Sequence, residues 1–148
     1  MAAAAAGSLP QVVFYKPTGN VNQHPGYANI GDGDAHIADL VSKLQKSPQR
    51  NNMVIVITYD EFGGQWDHVA PPKGDLLGPG TRIPAIIVSP FAKMASVDHT
   101  QYDTASIQRF INRRFDLDPL PGLAARDAAL KAGGGQPMGD LTNALNLL

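Results

Sequence analysis

The sequence contains no cysteine, which excludes a disulfide framework, a thiolate zinc site and a cysteine nucleophile. Basic and acidic residues are nearly equal in number, 12 against 13, and this balance excludes a strongly basic surface for nucleic acid. No apolar run approaches the roughly 20 residues that span a bilayer. The start of the chain lacks the basic region and long apolar core of a signal peptide, so we interpret residues 1–8 as a linker or a truncation scar.

The length and composition of the chain predict one globular domain with many loops. A length of 148 residues with 43% apolar composition is enough for a single core, and glycine (15) and proline (12) are both frequent. Apolar residues spaced by three and four predict helices over Asp34–Lys46 and over about Asp103–Phe115. The β-branched runs Met53–Thr58 and Ala85–Ser89 show no alternation, which is typical of strands buried on both faces of a parallel sheet.

The order of these elements predicts an α/β fold. Helix, strand, long loop, strand, loop and helix follow one another, and Gln11–Tyr15 is a further candidate for a short strand. In open α/β sheets, ligands bind outside the carboxyl ends of the strands. We therefore expect the chemistry directly after Thr58 and directly after Ser89, where polar residues concentrate.

The strongest candidate site follows the first predicted strand. Asp60 and Glu61 leave this strand together, and the two glycines after them allow a sharp turn or a close approach of the backbone to a ligand. Asp67 and His68 come next. Carboxylate oxygens suit divalent cations, and a nearby imidazole can bind a metal or a phosphoryl oxygen. The alternative is a glycine-rich turn whose carboxylates cap backbone N–H groups, but the concentration of these groups at one strand exit favours a site.

Four further polar positions carry weaker signals. His99 lies in a short loop after the second strand and can face the same ligand, although a lone loop histidine more often bonds to the backbone. His24 lies in a Pro-Gly loop, and its position alone gives little indication of a function. His36 belongs to the first turn of a predicted helix, beside its apolar stripe, where a structural role is favoured. Arg82 can contact an anion, but a salt bridge is the expectation.

The segment Thr58–Pro72 resembles the signature of the bacterial phosphoesterase family that contains the non-haemolytic phospholipases C and the related acid phosphatases. The resemblance continues through Gly78–Pro90 and Val97–Ile107, and it covers residues 9–128, interpreted as the C-terminal part of the catalytic domain. Residues 129–148 are interpreted as a glycine-rich connector followed by a short C-terminal segment. The resemblance implies an alkaline-phosphatase-like mixed sheet flanked by helices, here as a truncated C-terminal part.

The same resemblance implies a phosphoric ester hydrolase of the phospholipase C or acid phosphatase type, which works by metal-assisted phosphoryl transfer. The family's carboxylate pair, at the positions of Asp60 and Glu61, binds a divalent metal ion. The histidine at the position of His24 contacts the phosphoryl group, and the implied substrate is a phosphate ester or a phospholipid. The candidate catalytic residues are His24, His68 and His99, and the candidate substrate-binding residues are His24, His68 and Asp67.

The chain also departs from the family pattern. Family members are several times longer, and their N-terminal part carries a Glu-Asn metal-ligand motif and a serine or threonine nucleophile that nothing here matches. A hard cation usually binds about six oxygens, and two carboxylates supply fewer than that. A covalent phospho-enzyme step also lacks its nucleophile. The alternative is therefore a catalytically incomplete structural domain that binds metal or phosphate, with a missing N-terminal segment as its partner. The family is largely secreted or periplasmic, but the sequence itself leaves the location open.

Overall fold

The computed structural model describes residues 1–72, 76 and 78–147, so the last residue of the predicted C-terminal segment lies outside the described part. The chain divides into two compact units, the first over residues 1–55 and the second from residue 56 onward. Short 3-10 helices lie at Gly19–Val21, Arg50–Asn52 and Thr142–Ala144. The helices and strands are α1 (Ala2–Ala6), α2 (Ile30–Leu44), β1 (Ile55–Thr58), β2 (Ala85–Val88), α3 (Ala105–Phe115) and α4 (Pro121–Ala132).

Both predicted helices are present, and the α/β class is confirmed. The first of them, α2, begins earlier than predicted because Asn29 caps it, with its side-chain oxygen accepting a hydrogen bond from the Asp32 backbone nitrogen at 2.7 Å. The second, α3, ends at Phe115 as predicted, and the residue that follows it has the left-handed conformation common at helix ends.

The two predicted strands are also present, but their pairing and burial differ from the prediction. β1 and β2 form a two-stranded antiparallel sheet, and the Thr58 hydroxyl at the end of β1 donates to the Pro84 carbonyl just before β2, at 3.0 Å. Neither strand is fully buried. The predicted parallel pair buried on both faces is therefore wrong, because an unbroken apolar run shows that a strand tends to be buried but does not set its direction.

The antiparallel pairing separates the two expected sites. The C-terminal ends of β1 and β2 lie at opposite ends of the sheet, so the loops after Thr58 and after Ser89 do not start side by side. The further candidate strand Gln11–Tyr15 has no regular secondary structure and is exposed.

In the first unit, a short helix occupies the alanine run that we interpreted as a linker, and this helix, α1, packs against α2. The chain then turns at Gly7, whose φ is 68°, a conformation that glycine adopts without strain. The Gln49 side chain holds the next segment, because it accepts from the Leu9 backbone nitrogen at 2.8 Å and donates to the Leu9 carbonyl at 3.2 Å. The start of the chain is thus fixed to the segment that follows α2.

In the second unit, the buried apolar side chains lie near the C-terminus. They belong to Leu130, Met138, Leu141 and Leu145. Leu145 also forms an antiparallel bridge with Ala92, just after β2. All four buried side chains lie in residues 129–148, which we interpreted as a connector and a short C-terminal segment. In the described part of the chain, no helix combines the length and the apolar character needed to cross a membrane.

Candidate functional site

The carboxylate pair lies at the exit of β1, where the sequence predicts it. Asp60 and Glu61 are both exposed, and the two glycines after them have positive φ angles of 62° and 72°, which fits the expected sharp turn. One oxygen of Glu61 accepts a hydrogen bond from the Gly63 backbone nitrogen at 2.9 Å. This oxygen therefore caps a backbone N–H group, as expected for a glycine-rich turn. The other oxygen of Glu61 has no hydrogen-bond partner within the described residues.

The carboxylate of Asp67 accepts four hydrogen bonds in this loop. The guanidinium of Arg82 binds it through two parallel contacts, Nε to Oδ2 at 2.8 Å and Nη2 to Oδ1 at 2.9 Å. The backbone nitrogens of Val69 and Arg82 also donate to it, at 3.0 and 3.2 Å. These hydrogen bonds, above all those from Arg82, hold the pKa of Asp67 well below its usual range. The salt bridge expected for Arg82 is confirmed.

His68 lies beside this ion pair. Its Nδ1 atom is 3.8 Å from Oδ1 of Asp67, and its side chain is 74% exposed. The ring of Trp66 is tilted against the imidazole, with the ring centroids 6.2 Å apart. The structure therefore brings Asp67, His68 and Arg82 together in one loop, and the loop also carries Asp60 and Glu61.

His99 lies in a separate loop whose backbone is fixed on both sides of the histidine. Asp98 accepts hydrogen bonds from the Thr100 backbone nitrogen and from the Tyr102 hydroxyl. Burial is the main cause that raises the pKa of Tyr102 to about 12, and the bond to Asp98 raises it further. Asn143 donates to the Thr100 hydroxyl at 3.0 Å. The His99 side chain itself is exposed.

His24 belongs to the first unit, and its ring is held in one orientation. Nδ1 lies 2.7 Å from the Pro25 carbonyl oxygen, and the imidazole stacks on Tyr27 with ring centroids 4.6 Å apart and an interplanar angle of 15°. Because a carbonyl can only accept, Nδ1 carries a hydrogen. The neutral ring therefore presents Nε2 as an acceptor, and the exposed side chain leaves this atom available to a ligand.

Gln23 and Gly33 anchor the His24 loop, and sequence reasoning missed both. Gln23 has an unusual positive φ of 63°, and its amide donates to the Ile30 carbonyl at 3.0 Å and to Asp34 at 2.8 Å. Its side chain lies so close to α2 that a Cβ atom at Gly33 would be 2.2 Å from the Gln23 Cγ atom. The one sequence signal that could have indicated this contact is the glycine directly before the predicted helix Asp34–Lys46.

His36, by contrast, is held within the first unit by a side-chain partner. Its Nε2 atom lies 2.7 Å from the Tyr15 hydroxyl, and the two rings stack with centroids 5.9 Å apart. The imidazole is half-buried. These contacts agree with the structural role that the sequence favours for His36.

The described residues do not complete a metal site by themselves. No group of three or more histidine and acidic side chains in residues 1–72, 76 and 78–147 is arranged to hold a metal ion. Two adjacent carboxylates such as Asp60 and Glu61 supply fewer oxygens than the roughly six that a hard cation takes.

The loop after β1 of this α/β fold thus carries exposed carboxylates, an arginine and a histidine. The chain belongs to the phosphoesterase family, because the family model matches residues 1–118. It is 28% identical to phospholipase C B of Mycobacterium tuberculosis, over 93% of this chain and 30% of that protein. It is 27% identical to the non-hemolytic phospholipase C of Pseudomonas aeruginosa, over 95% of this chain and 24% of that protein.

A plant relative shows a similar likeness. The chain is 29% identical to non-specific phospholipase C6 of Arabidopsis thaliana, over 77% of this chain and 28% of that protein. The chain thus spans less than a third of the length of these curated relatives.

Proposed function

We propose that this chain is part of a phosphoric ester hydrolase that acts by metal-assisted phosphoryl transfer. The observation that carries the proposal is the family match over residues 1–118, which includes the carboxylate pair and all four histidines. The three relatives are named phospholipases C, which supports a phospholipid as one substrate and leaves soluble phosphate esters as the other.

Asp60 and Glu61 are the residues proposed to hold a divalent metal ion. Both are exposed, and the carboxylate oxygens suit a hard cation, although further ligands must come from water or from another polypeptide segment. A metal ion at this position would polarise a phosphate oxygen as a Lewis acid. The resemblance to the family supports this assignment, since the family's carboxylate pair occupies these positions.

Binding of Mn²⁺ to the purified chain tests the metal site. We expect that Asp60→Asn and Glu61→Gln each weaken Mn²⁺ binding by at least about tenfold, since loss of a direct ligand should cost no less than loss of an outer-shell partner. Asp39→Asn is the matched control, because Asp39 is an exposed carboxylate paired with Lys43 on α2. Electron paramagnetic resonance of free Mn²⁺ measures the affinity, and equal affinities in all three variants would contradict the assignment.

His24 is the histidine proposed to contact the phosphoryl group. Its Nδ1–carbonyl bond and its stacking on Tyr27 orient the ring, so that Nε2 can donate a charge-assisted hydrogen bond when the imidazole is protonated. His68 and His99 are proposed to steady charge or to protonate the leaving oxygen, and their exposed side chains support this.

A comparison of His24→Ala with His36→Ala tests this role in a catalytically complete context. We expect His24→Ala to lower kcat/KM by roughly 30- to 1,000-fold, because one charge-assisted hydrogen bond to the transition state is worth on the order of 2–4 kcal/mol. His36→Ala should cost about 1 kcal/mol of stability and leave the activity per folded molecule nearly unchanged. The reverse ranking, with a large loss of activity in His36→Ala alone, would contradict the role of His24.

The fold of the intact enzyme is proposed to be alkaline-phosphatase-like. The resemblance supports a larger mixed sheet, and so does the exposure of Ile86 in β2, an apolar strand residue that is 58% exposed in this chain. In this arrangement a preceding N-terminal segment would supply further strands and the missing nucleophile.

A catalytically incomplete domain that binds metal or phosphate is the second candidate function. The observation that favours it is the incomplete ligand set in the part of the chain that the structure describes. Under this alternative the purified chain hydrolyses p-nitrophenyl phosphate and phosphatidylcholine far more slowly than the Pseudomonas aeruginosa relative assayed beside it. Rapid metal-dependent turnover that Asp60→Asn abolishes would exclude the alternative.

A further inference from the structure

Asp67, which the sequence assigns to substrate binding, is poorly suited to contact a phosphate group itself. Four hydrogen bonds already use its two oxygens. Its lowered pKa also means that it is an anion at neutral pH, so it repels the negative charge of a phosphate. A phosphate contact in this loop would therefore come from a neighbour of Asp67.

Arg82 has the features that Asp67 lacks. Two of its three guanidinium nitrogens are held by the carboxylate, and this fixes the plane of the guanidinium group. The third, Nη1, has no hydrogen-bond partner among the residues that the structure describes, and the side chain is 59% exposed. A guanidinium with a fixed plane and an open N–H edge loses little conformational freedom when it binds a phosphate oxygen.

His68 offers a second donor beside the same carboxylate. Its Nδ1 atom lies 3.8 Å from Oδ1 of Asp67, the oxygen that also receives Nη2 of Arg82. Arg82 and His68 thus flank one carboxylate oxygen, and both side chains are exposed. Together with Asp67 they carry a net positive charge when His68 is protonated, which favours an anion.

We propose that Arg82 and His68 form a binding subsite for a phosphate group, and that Asp67 is the positioning residue that orients Arg82. The subsite rests on the proposed function, since it names the groups that bind the phosphate of the ester. The phosphate can belong to a soluble ester or to a lipid headgroup, because both present the same oxygens to Arg82 and His68.

Trp66 provides a direct readout of this subsite. It is the single tryptophan of the chain, and its ring lies 6.2 Å from that of His68. Titration of the metal-free 148-residue chain with inorganic phosphate, at constant ionic strength in the presence of a chelator, should produce a saturable change in Trp66 emission. The chelator makes this measurement independent of a metal at Asp60 and Glu61, so failure of the subsite and failure of the proposed metal site are separate results.

Substitutions of Arg82 decide the assignment. We expect Arg82→Gln to weaken phosphate binding about tenfold or more, and Arg82→Lys to weaken it less, because lysine keeps the charge but loses the planar fork. The matched control is Arg113→Gln, which breaks another exposed arginine–aspartate pair, Arg113–Asp140 at 2.9 Å. This control should bind phosphate within about twofold of the wild-type chain.

Three results would overturn the proposal: no saturable change in the wild-type chain, equal affinity in Arg82→Gln, or an equal loss in Arg113→Gln. Circular dichroism checks that each variant is folded, and Arg82→Lys carries the test if Arg82→Gln does not fold.

His68→Gln should weaken phosphate binding severalfold. Its binding is followed by ³¹P NMR, because the substitution alters the surroundings of Trp66. Unchanged affinity in this variant would contradict a two-residue subsite.

Asp67→Asn separates orientation from charge. Removal of a negative charge beside a phosphate should by itself strengthen binding, whereas loss of the bidentate contact should weaken it through Arg82. We expect weaker binding, and stronger binding would contradict the positioning role. Phosphocholine and phosphatidylcholine vesicles then distinguish the two sources of the phosphate group, since a subsite for a lipid headgroup binds the vesicles more tightly than it binds phosphocholine.

Discussion

The loop between β1 and β2 and the C-terminal part of the same unit (residues 98–147) both carry paired charges, but they are held in different ways. In the loop, Asp67 pairs with Arg82, and most of the described side chains are exposed. In the C-terminal part, the ion pair of Arg109 with Asp127 joins α3 to α4, the helix that carries the buried Leu130. The arginine of the loop pair is exposed, whereas Arg109 in the C-terminal part is largely buried in its pair.

This difference separates the candidate chemistry from the source of stability. Side chains that contribute little to packing can contact a ligand, and binding groups are often found on loops that a packed scaffold positions. The loop after β1 carries Asp60, Glu61, His68 and Arg82, whereas the buried apolar side chains of this unit lie near the C-terminus. We therefore expect substitutions in the two regions to change different properties.

Leucine substitutions give the largest expected contrast between the regions. Leu130 is 1% exposed and Leu76, in the loop, is 99% exposed. Leu130→Ala should lower the free energy of unfolding by about 3 kcal/mol, because it removes buried methyl groups and leaves a cavity. Leu76→Ala should change it by less than about 0.5 kcal/mol. Urea unfolding measures both, and similar losses in the two variants would contradict the comparison.

Two arginines of α3 give an intermediate effect and test whether burial or charge is responsible. The Arg109 side chain is 14% exposed in its pair with Asp127, and that of Arg113 is 67% exposed in its pair with Asp140. Arg109→Gln should cost about 2 kcal/mol, because it leaves a partly buried carboxylate without its partner. Arg113→Gln should cost no more than about 0.5 kcal/mol. Equal thermal midpoints for the two variants would show that burial of the pair does not matter.

The pH dependence of stability gives the smallest expected effect and concerns the loop alone. The pKa of Asp67 is lowered in the folded chain, so the carboxylate stabilises the fold above its unfolded pKa of about 3.9. This contribution is lost as the pH falls toward the folded pKa. We expect the stability difference between the wild-type chain and Asp67→Asn to be greatest near pH 7 and to shrink below about pH 4. A difference that is constant from pH 7 to pH 2 would contradict this assignment.

Local patterns in the sequence were sufficient to predict α2, α3, β1 and β2. The apolar stripe of α2, with Ile37, Leu40, Val41 and Leu44, depends on helix geometry alone, so that spacing identifies the helix before its partner is known. The exposed carboxylate pair after β1 also lies where the strand ends. The family was recognisable from the signature residues, and the match over residues 1–118 confirms it.

Features that depend on distant parts of the chain were not predictable in the same way. The helix α4 has a weak apolar pattern and many alanines, and it ends beside the glycines that we interpreted as a connector. The antiparallel pairing of β1 with β2 depends on the path of the chain that connects the two strands. An unbroken apolar run carries no information on the relative direction of the strands.

The amino-acid sequence by itself determined which segments are helical or extended, which residues bear the candidate chemistry, and the family to which the chain belongs. Only the tertiary structure decided which polar groups meet. It placed Arg82 on Asp67 across 15 positions of chain and Gln23 over Gly33 beside His24. The physical reason is that periodicity and capping act over a few residues, whereas a side-chain contact between distant residues exists only after the backbone between them has folded.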